Sequence, residues 1–195
     1  MNFIKRIQYN APVTLTFTLI SFAVLITAHF AGEQVVYYLF SVYRAPVNDP
    51  LMYLRLFGHT LGHADINHFL GNFVIILLVG PMLEEKYGGK WLVVMMAVTA
   101  LVTGLLFMLF SRPNSLMLGA SGIVFMLMLL GSFTNFQKGK IPLTFLLALA
   151  VFLGREIISG VSATDNISHT THIIGGICGA LFGFIINRNI IYKEE

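Results

Sequence analysis

Six apolar stretches, separated by short polar segments, constrain the fold more than any other feature of this sequence. They run over residues 12–31, 66–83, 91–110, 120–136, 141–158 and 170–187. A helix that crosses a lipid bilayer needs about 17–25 predominantly apolar residues, so each stretch predicts one membrane-spanning helix. Only 11% of the 195 residues are charged, against about 25% in a soluble domain, and the mean hydropathy is +0.80. The sequence therefore predicts an all-α membrane protein, a six-helix bundle that forms a single domain over residues 1–195.

The first stretch is interpreted as a membrane span and not as a signal peptide. Lys5 and Arg6 precede it, but its apolar part is longer than the roughly 7–15 residues of a signal-peptide core, and it lacks a clear cleavage site. The single cysteine, Cys178, excludes a disulfide within the chain. The net charge of +3 gives no indication of nucleic acid binding.

The basic residues predict that both termini lie in the cytoplasm. In that orientation the cytoplasmic segments carry eight basic residues, which are Lys5, Arg6, Lys86, Lys90, Lys138, Lys140, Arg188 and Lys193. The outer segments carry four, which are Arg44, Arg55, Arg112 and Arg155. Basic residues favour the cytoplasmic side of a membrane. The second, fourth and sixth spans would then all begin at the outer face.

The longest connection, residues 32–65, is predicted to be an irregular loop with a functional role. It is rich in tyrosine and aliphatic residues, so we expect it to lie partly in the membrane interface.

Polar side chains stand where three of the spans begin, although such groups are costly inside a membrane. They are His59, His63, His68 and Asn72 at the second span, Ser121 at the fourth, and His169 and His172 at the sixth. His68 and Asn72 are four residues apart and share one helix face. Because the charge distribution independently places these three helix starts together, we predict one polar site near the outer face.

Small residues predict that the fourth and sixth spans approach closely. Gly175, Gly179 and Gly183 form a stripe that also contains His172, and spacing of this kind permits close helix packing in lipid. The fourth span opens with small residues at 119–122 and is the natural partner. Close packing there would bring the Ser121 hydroxyl within hydrogen-bond reach of the His172 imidazole.

A serine beside a histidine is the minimum for nucleophilic acyl transfer, with the histidine as base. Asp165 stands in a loop seven residues before His172, so a dyad is expected rather than a triad. His68, Asn72 and the backbone N–H of Ser121 could stabilise an oxyanion. We predict no strand before Ser121, so the segment is not the Gly-x-Ser-x-Gly elbow of soluble hydrolases.

Taken together and in order, the motifs over residues 50–187 resemble those of the rhomboid family of intramembrane serine proteases. They are Gly119-Ala120-Ser121-Gly122, His172-x-x-Gly175-x-x-x-Gly179, His63-x-x-x-x-His68-x-x-x-Asn72 and Gly80-x-x-x-Glu84-x-x-x-Gly88. The resemblance implies a six-helix bundle with Ser121 as nucleophile, His172 as base, and His68 and Asn72 at the oxyanion site. It implies transmembrane protein substrates in the lipid bilayer, cleaved near their outer end, and no metal or cofactor. We expect a multi-pass protein of a bacterial inner membrane and make no prediction of oligomeric state.

Two positions depart from the family pattern. Leu54-Arg55 replaces the Trp-Arg pair of the first loop, which predicts a changed loop attachment in which Arg55 still has a supporting role. Phe125 stands where the family often has tyrosine, which keeps a ring to pack on His172 but removes the hydroxyl.

Other interpretations remain open for several of these residues. The Ser121 hydroxyl could cap its helix, because serine is favoured at helix starts. His59 and His63 are interpreted as structural residues under the long loop, and His169 as a bystander. Glu84 belongs either to a solvated loop or to a helix cap.

Two other functions are compatible with the sequence. His59, His63 and His68 could be ligands in a metal-binding or transport protein, because imidazole binds zinc, copper and nickel. The chain could also be a non-catalytic relative of the rhomboid proteases that binds transmembrane clients without cleaving them.

Overall fold

The computed structural model describes residues 7–134, 140–162 and 167–191, with side chains left undescribed at 152–153, 155–170 and 187–191. Within these ranges the chain is mostly helical. The helices are α1 (Pro12–Ala31), α2 (Glu33–Leu39), α3 (Pro50–Gly58), α4 (Ile66–Tyr87), α5 (Gly89–Phe110), α6 (Ser121–Gly131), α7 (Leu143–Ser162) and α8 (Ile167–Ile191). Two short strands, β1 (Val42–Tyr43) and β2 (Leu116–Met117), pair antiparallel.

Each of the six predicted apolar stretches coincides with a helix, namely α1, α4, α5, α6, α7 and α8. Among the described residues, three of these helices (α1, α4 and α5) are long and apolar enough to cross a membrane. The apolar parts of α6 and α8 are shorter. The chain is therefore a helical, multi-pass membrane protein, and the count of six spans stays a prediction.

The helix of the fourth span is shorter than the predicted range of 120–136. It ends at Gly131, and the backbone N–H of Ser132 is shared between carbonyls of the last turn. Glycine and serine are weak helix formers, which explains an end at this point. With 11 residues, α6 is about 16 Å long, roughly half the thickness of a bilayer core.

Residues 32–65 do not form an irregular loop, and that prediction was wrong. They contain α2, β1 and α3, and α3 begins with strong local signals. Asp49 accepts a hydrogen bond from Leu51 N at 3.0 Å as the N-cap, and Pro50 occupies the first turn. The side chain of Tyr53 in α3 is exposed, and the location of this segment in the membrane interface stays a prediction.

A two-residue strand precedes Ser121, contrary to the sequence prediction. In β2, Met117 pairs with Val42 and Leu116 pairs with Tyr43. A strand this short has no periodic sequence signal, because it exists only through its partner. The pairing connects the segment before Ser121 to residues 42–43, more than seventy positions earlier in the chain.

Arg55 holds the segment 32–65 together from inside the protein. It is 1% exposed, its Nη1 forms a salt bridge of 2.7 Å with Asp49, and its Nε donates to the Tyr38 carbonyl at 2.7 Å. The guanidinium also stacks over Tyr38 and Tyr43, with 4.9 and 4.5 Å to the ring centroids. The hydrogen bond from Arg55 lowers the pKa of Asp49. Leu54 is 55% exposed, whereas Arg55 next to it is buried.

Glu84 is buried, so its interpretation as part of a solvated loop was wrong. Helix α4 continues past the predicted end at residue 83 to Tyr87. The carboxylate accepts hydrogen bonds from Val13 N, Thr14 N and Thr14 Oγ1 at 2.8–2.9 Å. Glu84 therefore does cap a helix, but the helix is α1 rather than its own.

The closest helix packing in the described chain is between α6 and α8. A Cβ atom added at Gly175 would lie 2.2 Å from the Gly122 carbonyl oxygen, and one at Gly179 would lie 2.2 Å from the Met126 carbonyl oxygen. At Gly183 it would meet the Phe133 ring at 2.5 Å. Gly175 and Gly179 thus pack backbone against backbone on α6, as the sequence predicted, whereas Gly183 packs against the Phe133 ring beyond the end of α6.

Candidate active site

A cavity of about 350 Å³ lies where α4, α6 and α8 begin. The side chains that line it include His68 and Asn72 from α4, Ser121 from α6 and His172 from α8. The sequence had grouped these helix starts by charge distribution and by polar residues. The structure brings all four side chains to one cavity.

Ser121 is the first residue of α6, and its Oγ lies 2.9 Å from His172 Nε2. The N-cap position is occupied by Ala120, and no side chain caps the helix. The alternative in which the Ser121 hydroxyl caps α6 is therefore wrong. Backbone N–H groups in the first turn of a helix have no partner within the helix, and that end carries a partial positive charge. The environment of Ser121 thus favours developing negative charge.

The position of His172 follows from the contact between α6 and α8. Three residues after it, Gly175 meets the Gly122 carbonyl, which leaves no room for any side chain between the two helices. The His172 ring also packs on Phe125, with 4.7 Å between ring centroids and 44° between planes. The predicted ring contact of Phe125 is confirmed. Asp165 and the side chain of His169 lie outside the described residues.

His68 and Asn72 face the backbone just ahead of Ser121. A Cβ atom at Gly119 would lie 2.7 Å from His68 Nε2 and 3.8 Å from Asn72 Nδ2. Gly119 also has a φ of +123°, a conformation that other residues rarely adopt. Glycine at this position is therefore required twice, by the backbone conformation and by the approach of the two side-chain nitrogens.

The start of α4 is set by Asp65, which the sequence analysis did not use. Its carboxylate accepts a hydrogen bond from His68 N at 2.8 Å and caps the helix. An aspartate directly before an apolar run was the available sequence signal. This cap fixes the turn on which His68 lies and hence the face that His68 and Asn72 share.

Two buried histidines lie closer to the site than expected. The His59 carbonyl accepts a hydrogen bond from Gly119 N at 2.8 Å. His63 Nε2 lies 3.0 Å from Asn72 Nδ2 and 3.4 Å from Ala120 N. Both side chains are 1% exposed, and burial lowers the pKa of each to about 4. Both rings are therefore neutral at pH 7. Their structural interpretation holds, but His63 contacts a proposed oxyanion donor directly.

Within the residues that the structure describes, no group of three or more His, Cys, Asp or Glu side chains is arranged to hold a metal ion. His63 and His68 are neighbours, with 5.0 Å between ring centroids. Their described hydrogen bonds are to protein groups: His63 to the Leu61 carbonyl, Asn72 and Ala120 N, and the His68 backbone to Asp65 and Asn72.

Comparison with known proteins finds matches to one protein family over most of the chain. The family model described as Rhomboid domain matches residues 50–189 of this chain. Rhomboid-related protein 1 of Caenorhabditis elegans is 30% identical over 146 residues, which are 70% of this chain and 41% of that protein. Rhomboid protease GlpG of Klebsiella pneumoniae is 32% identical over 130 residues, 65% of this chain and 45% of the relative.

Rhomboid protease GlpG of Haemophilus influenzae is 26% identical over 182 residues, which are 92% of this chain and 93% of that protein. The chain thus spans less than half the length of the first two relatives and nearly all of the third.

Proposed function

This chain belongs to the rhomboid family, and from that membership we propose that it is an intramembrane serine protease whose catalytic dyad is Ser121 and His172. The observation that carries the proposal is the 2.9 Å contact between Ser121 Oγ and His172 Nε2 inside a cavity of a multi-pass membrane protein. That distance is a hydrogen bond of ordinary length, which a base needs in order to take the hydroxyl proton.

In the proposed reaction, Ser121 Oγ attacks the carbonyl carbon of the scissile peptide bond while His172 Nε2 takes the hydroxyl proton. The tetrahedral intermediate collapses as the C–N bond breaks, and His172 returns the proton to the leaving amine. An acyl ester on Ser121 remains. A water molecule, deprotonated by His172, then attacks the ester, and the new carboxyl end leaves as Ser121 recovers its proton.

The oxyanion of each tetrahedral intermediate is proposed to lie between α4 and the start of α6. His68 Nε2 and Asn72 Nδ2 lie close to the Gly119 backbone on one side, and Ser121 N belongs to the first turn of α6. One such donor is typically worth about 3–4 kcal/mol of the reaction barrier. Gly119 and Gly122 support the arrangement because they leave room for the donors and for α8.

The proposed substrates are transmembrane segments of other proteins, cleaved near their outer end, usually after a small residue. Two of the relatives carry the name rhomboid protease, which supports a protease at this level. The excess of basic residues on one side supports both termini in the cytoplasm, with six spans in one domain over residues 1–195. A bacterial inner membrane is the proposed location.

The proposal is tested by cleavage of a single-span substrate with purified protein in detergent. Ser121→Ala and His172→Ala should each abolish cleavage, because each removes one member of the dyad. Ser132→Ala is the matched control, since Ser132 follows the last residue of the same helix and its hydroxyl donates to the Met128 carbonyl at 3.1 Å. Equal cleavage by the wild type and both dyad variants would overturn the proposal.

Labelling with a fluorophosphonate probe separates the alternatives. A nucleophilic Ser121 should be labelled in the wild type and not in Ser121→Ala. Neither a client-binding relative without activity nor a histidine-rich metal transporter predicts labelling at this serine. A wild-type protein that binds transmembrane clients but is neither labelled nor active would support the first of these.

A further inference from the structure

His63 lies in the segment between α3 and α4, buried against three aromatic rings. Its imidazole is 1% exposed and meets His68, Phe69 and Phe73 edge-on, with centroid distances of 5.0, 5.5 and 5.4 Å. Contacts on this many sides leave the ring little freedom to rotate. The direction in which each ring nitrogen points is therefore set by packing.

The hydrogen bonds of His63 require one tautomer. Nδ1 lies 3.3 Å from the Leu61 carbonyl oxygen, which only accepts, so Nδ1 carries the hydrogen. In a neutral imidazole the other nitrogen, Nε2, then has a free lone pair. The groups that face Nε2 are Asn72 Nδ2 at 3.0 Å and Ala120 N at 3.4 Å, and both are donors. All three contacts agree with the neutral ring.

This lone pair determines the orientation of the Asn72 amide. Asn72 Nδ2 donates to His63 Nε2 and also to the His68 carbonyl at 3.2 Å. If the amide were flipped, its oxygen would face two acceptors and lose both hydrogen bonds, which makes that orientation unfavourable. The end held in place is the nitrogen end, which lies 3.8 Å from a Cβ built at Gly119.

An oxyanion requires that nitrogen end, because an amide oxygen in its place would repel the developing charge. The oxyanion could share an Asn72 hydrogen in a three-centre bond, which is a common arrangement in proteins. The same His63 nitrogen accepts from Ala120 N, so it also fixes the backbone directly before Ser121. His63 thus connects the donor on α4 with the start of α6.

We infer that His63 is a positioning residue of the proposed protease: it holds the nitrogen end of the Asn72 amide, and the backbone ahead of Ser121, in the arrangement that stabilises the oxyanion. The inference rests on the proposed function. It assigns His63 no contact with the substrate, so its effect on the rate passes through Asn72 and Ala120.

A double-mutant cycle between His63 and Asn72 tests this inference. His63→Leu should lower kcat about 10- to 100-fold with KM within about twofold, because only the intermediate needs the oriented amide. The double variant with Asn72→Ala should lose less than the product of the two single losses, because the part of the effect that passes through Asn72 is already gone. His63→Gln should recover most of the rate, because its side-chain oxygen can replace the Nε2 acceptor.

His59→Leu is the matched control, since His59 is equally buried and its Nδ1 bonds to the Arg55 carbonyl rather than to Asn72. Its loss of rate should multiply with that of Asn72→Ala. If His63→Leu does not fold, His63→Asn replaces it, because asparagine can still donate to the Leu61 carbonyl but lacks an acceptor at the Nε2 position.

Two results would overturn the inference: a folded His63 variant with full kcat, or losses for His63 and Asn72 that multiply. Labelling and cleavage that depend on Ser121 are measured in parallel on the wild type. If these are present and the losses multiply, only the role of His63 is wrong. If these are absent, the proposed function fails, and the role of His63 fails with it.

Discussion

The substitution Gly175→Ala tests whether the contact between α6 and α8 sets the geometry of the dyad. The new Cβ would lie 2.2 Å from the Gly122 carbonyl oxygen, whereas real Cβ contacts essentially never fall below 3.0 Å. The obstacle is backbone on both sides, so no side chain can turn away. The two helices must therefore separate by about 0.8 Å or more.

That separation is large compared with the tolerance of the dyad. His172 lies one helical turn before Gly175, and its Nε2 is 2.9 Å from Ser121 Oγ. A displacement of about 0.8 Å carried through to this pair would leave it beyond normal hydrogen-bond length. A misplacement of about 1 Å can lower a rate about 100-fold, and overpacking typically costs about 1–3 kcal/mol of stability.

We therefore expect Gly175→Ala to lower kcat/KM for a single-span substrate by about 100-fold. The control is Gly154→Ala in α7, where an added Cβ meets no atom of the described residues within 4 Å. Alanine is the better helix former by about 1 kcal/mol, so the control should be fully active and at least as stable as the wild type. Thermal unfolding in detergent is measured for both. Activity of Gly175→Ala within threefold of the wild type would refute the argument.

Two further predictions concern stability. Glu84→Ala should lower the free energy of unfolding by about 2–4 kcal/mol, because it leaves Val13 N and the buried donors of Thr14 without an acceptor. Glu84→Gln keeps one acceptor oxygen and should retain more of the stability. Equal Tm values for the two variants would contradict this prediction. The buried rings of His59 and His63 should make the protein sensitive to acid, because burial lowers the pKa of each to about 4 from 6.5. Between these values the unfolded chain binds more protons than the folded one, so stability is complete above pH 6.5 and falls as the pH drops to 4, by about 3 kcal/mol per ring. A Tm that is constant from pH 7 to pH 4 would exclude this contribution of the two buried histidines to acid sensitivity.

The features that could be predicted from the sequence are those that depend on neighbouring residues. The apolar stretches predicted where helices lie because the length of an apolar run is a local property. The glycine stripe on α8 predicted its partner because small residues at a spacing of four lie on one face. Ser121, His172, His68 and Asn72 were found because a polar group at the start of such a stretch is conspicuous.

The errors have two physical causes. Asp49 and Pro50 gave a local signal for α3. The helices within 32–65 were nevertheless missed, because the tyrosines and aliphatic residues of this segment suggested an interface loop. The strand β2 could not have been found, because its two residues exist as a strand only when paired with Val42 and Tyr43.

By itself the sequence determined that this chain places helices in a membrane and puts polar groups at the starts of three of them. Only the tertiary structure decided which groups meet. Glu84 caps a helix 70 positions away, and His63 faces Ala120 57 positions later. Hydrogen bonds of this kind leave no trace in local spacing, because they depend on how far helices approach and how they are rotated. We expect the 2.9 Å between Ser121 and His172 to depend likewise on the backbone contact at Gly175, and not on either residue alone.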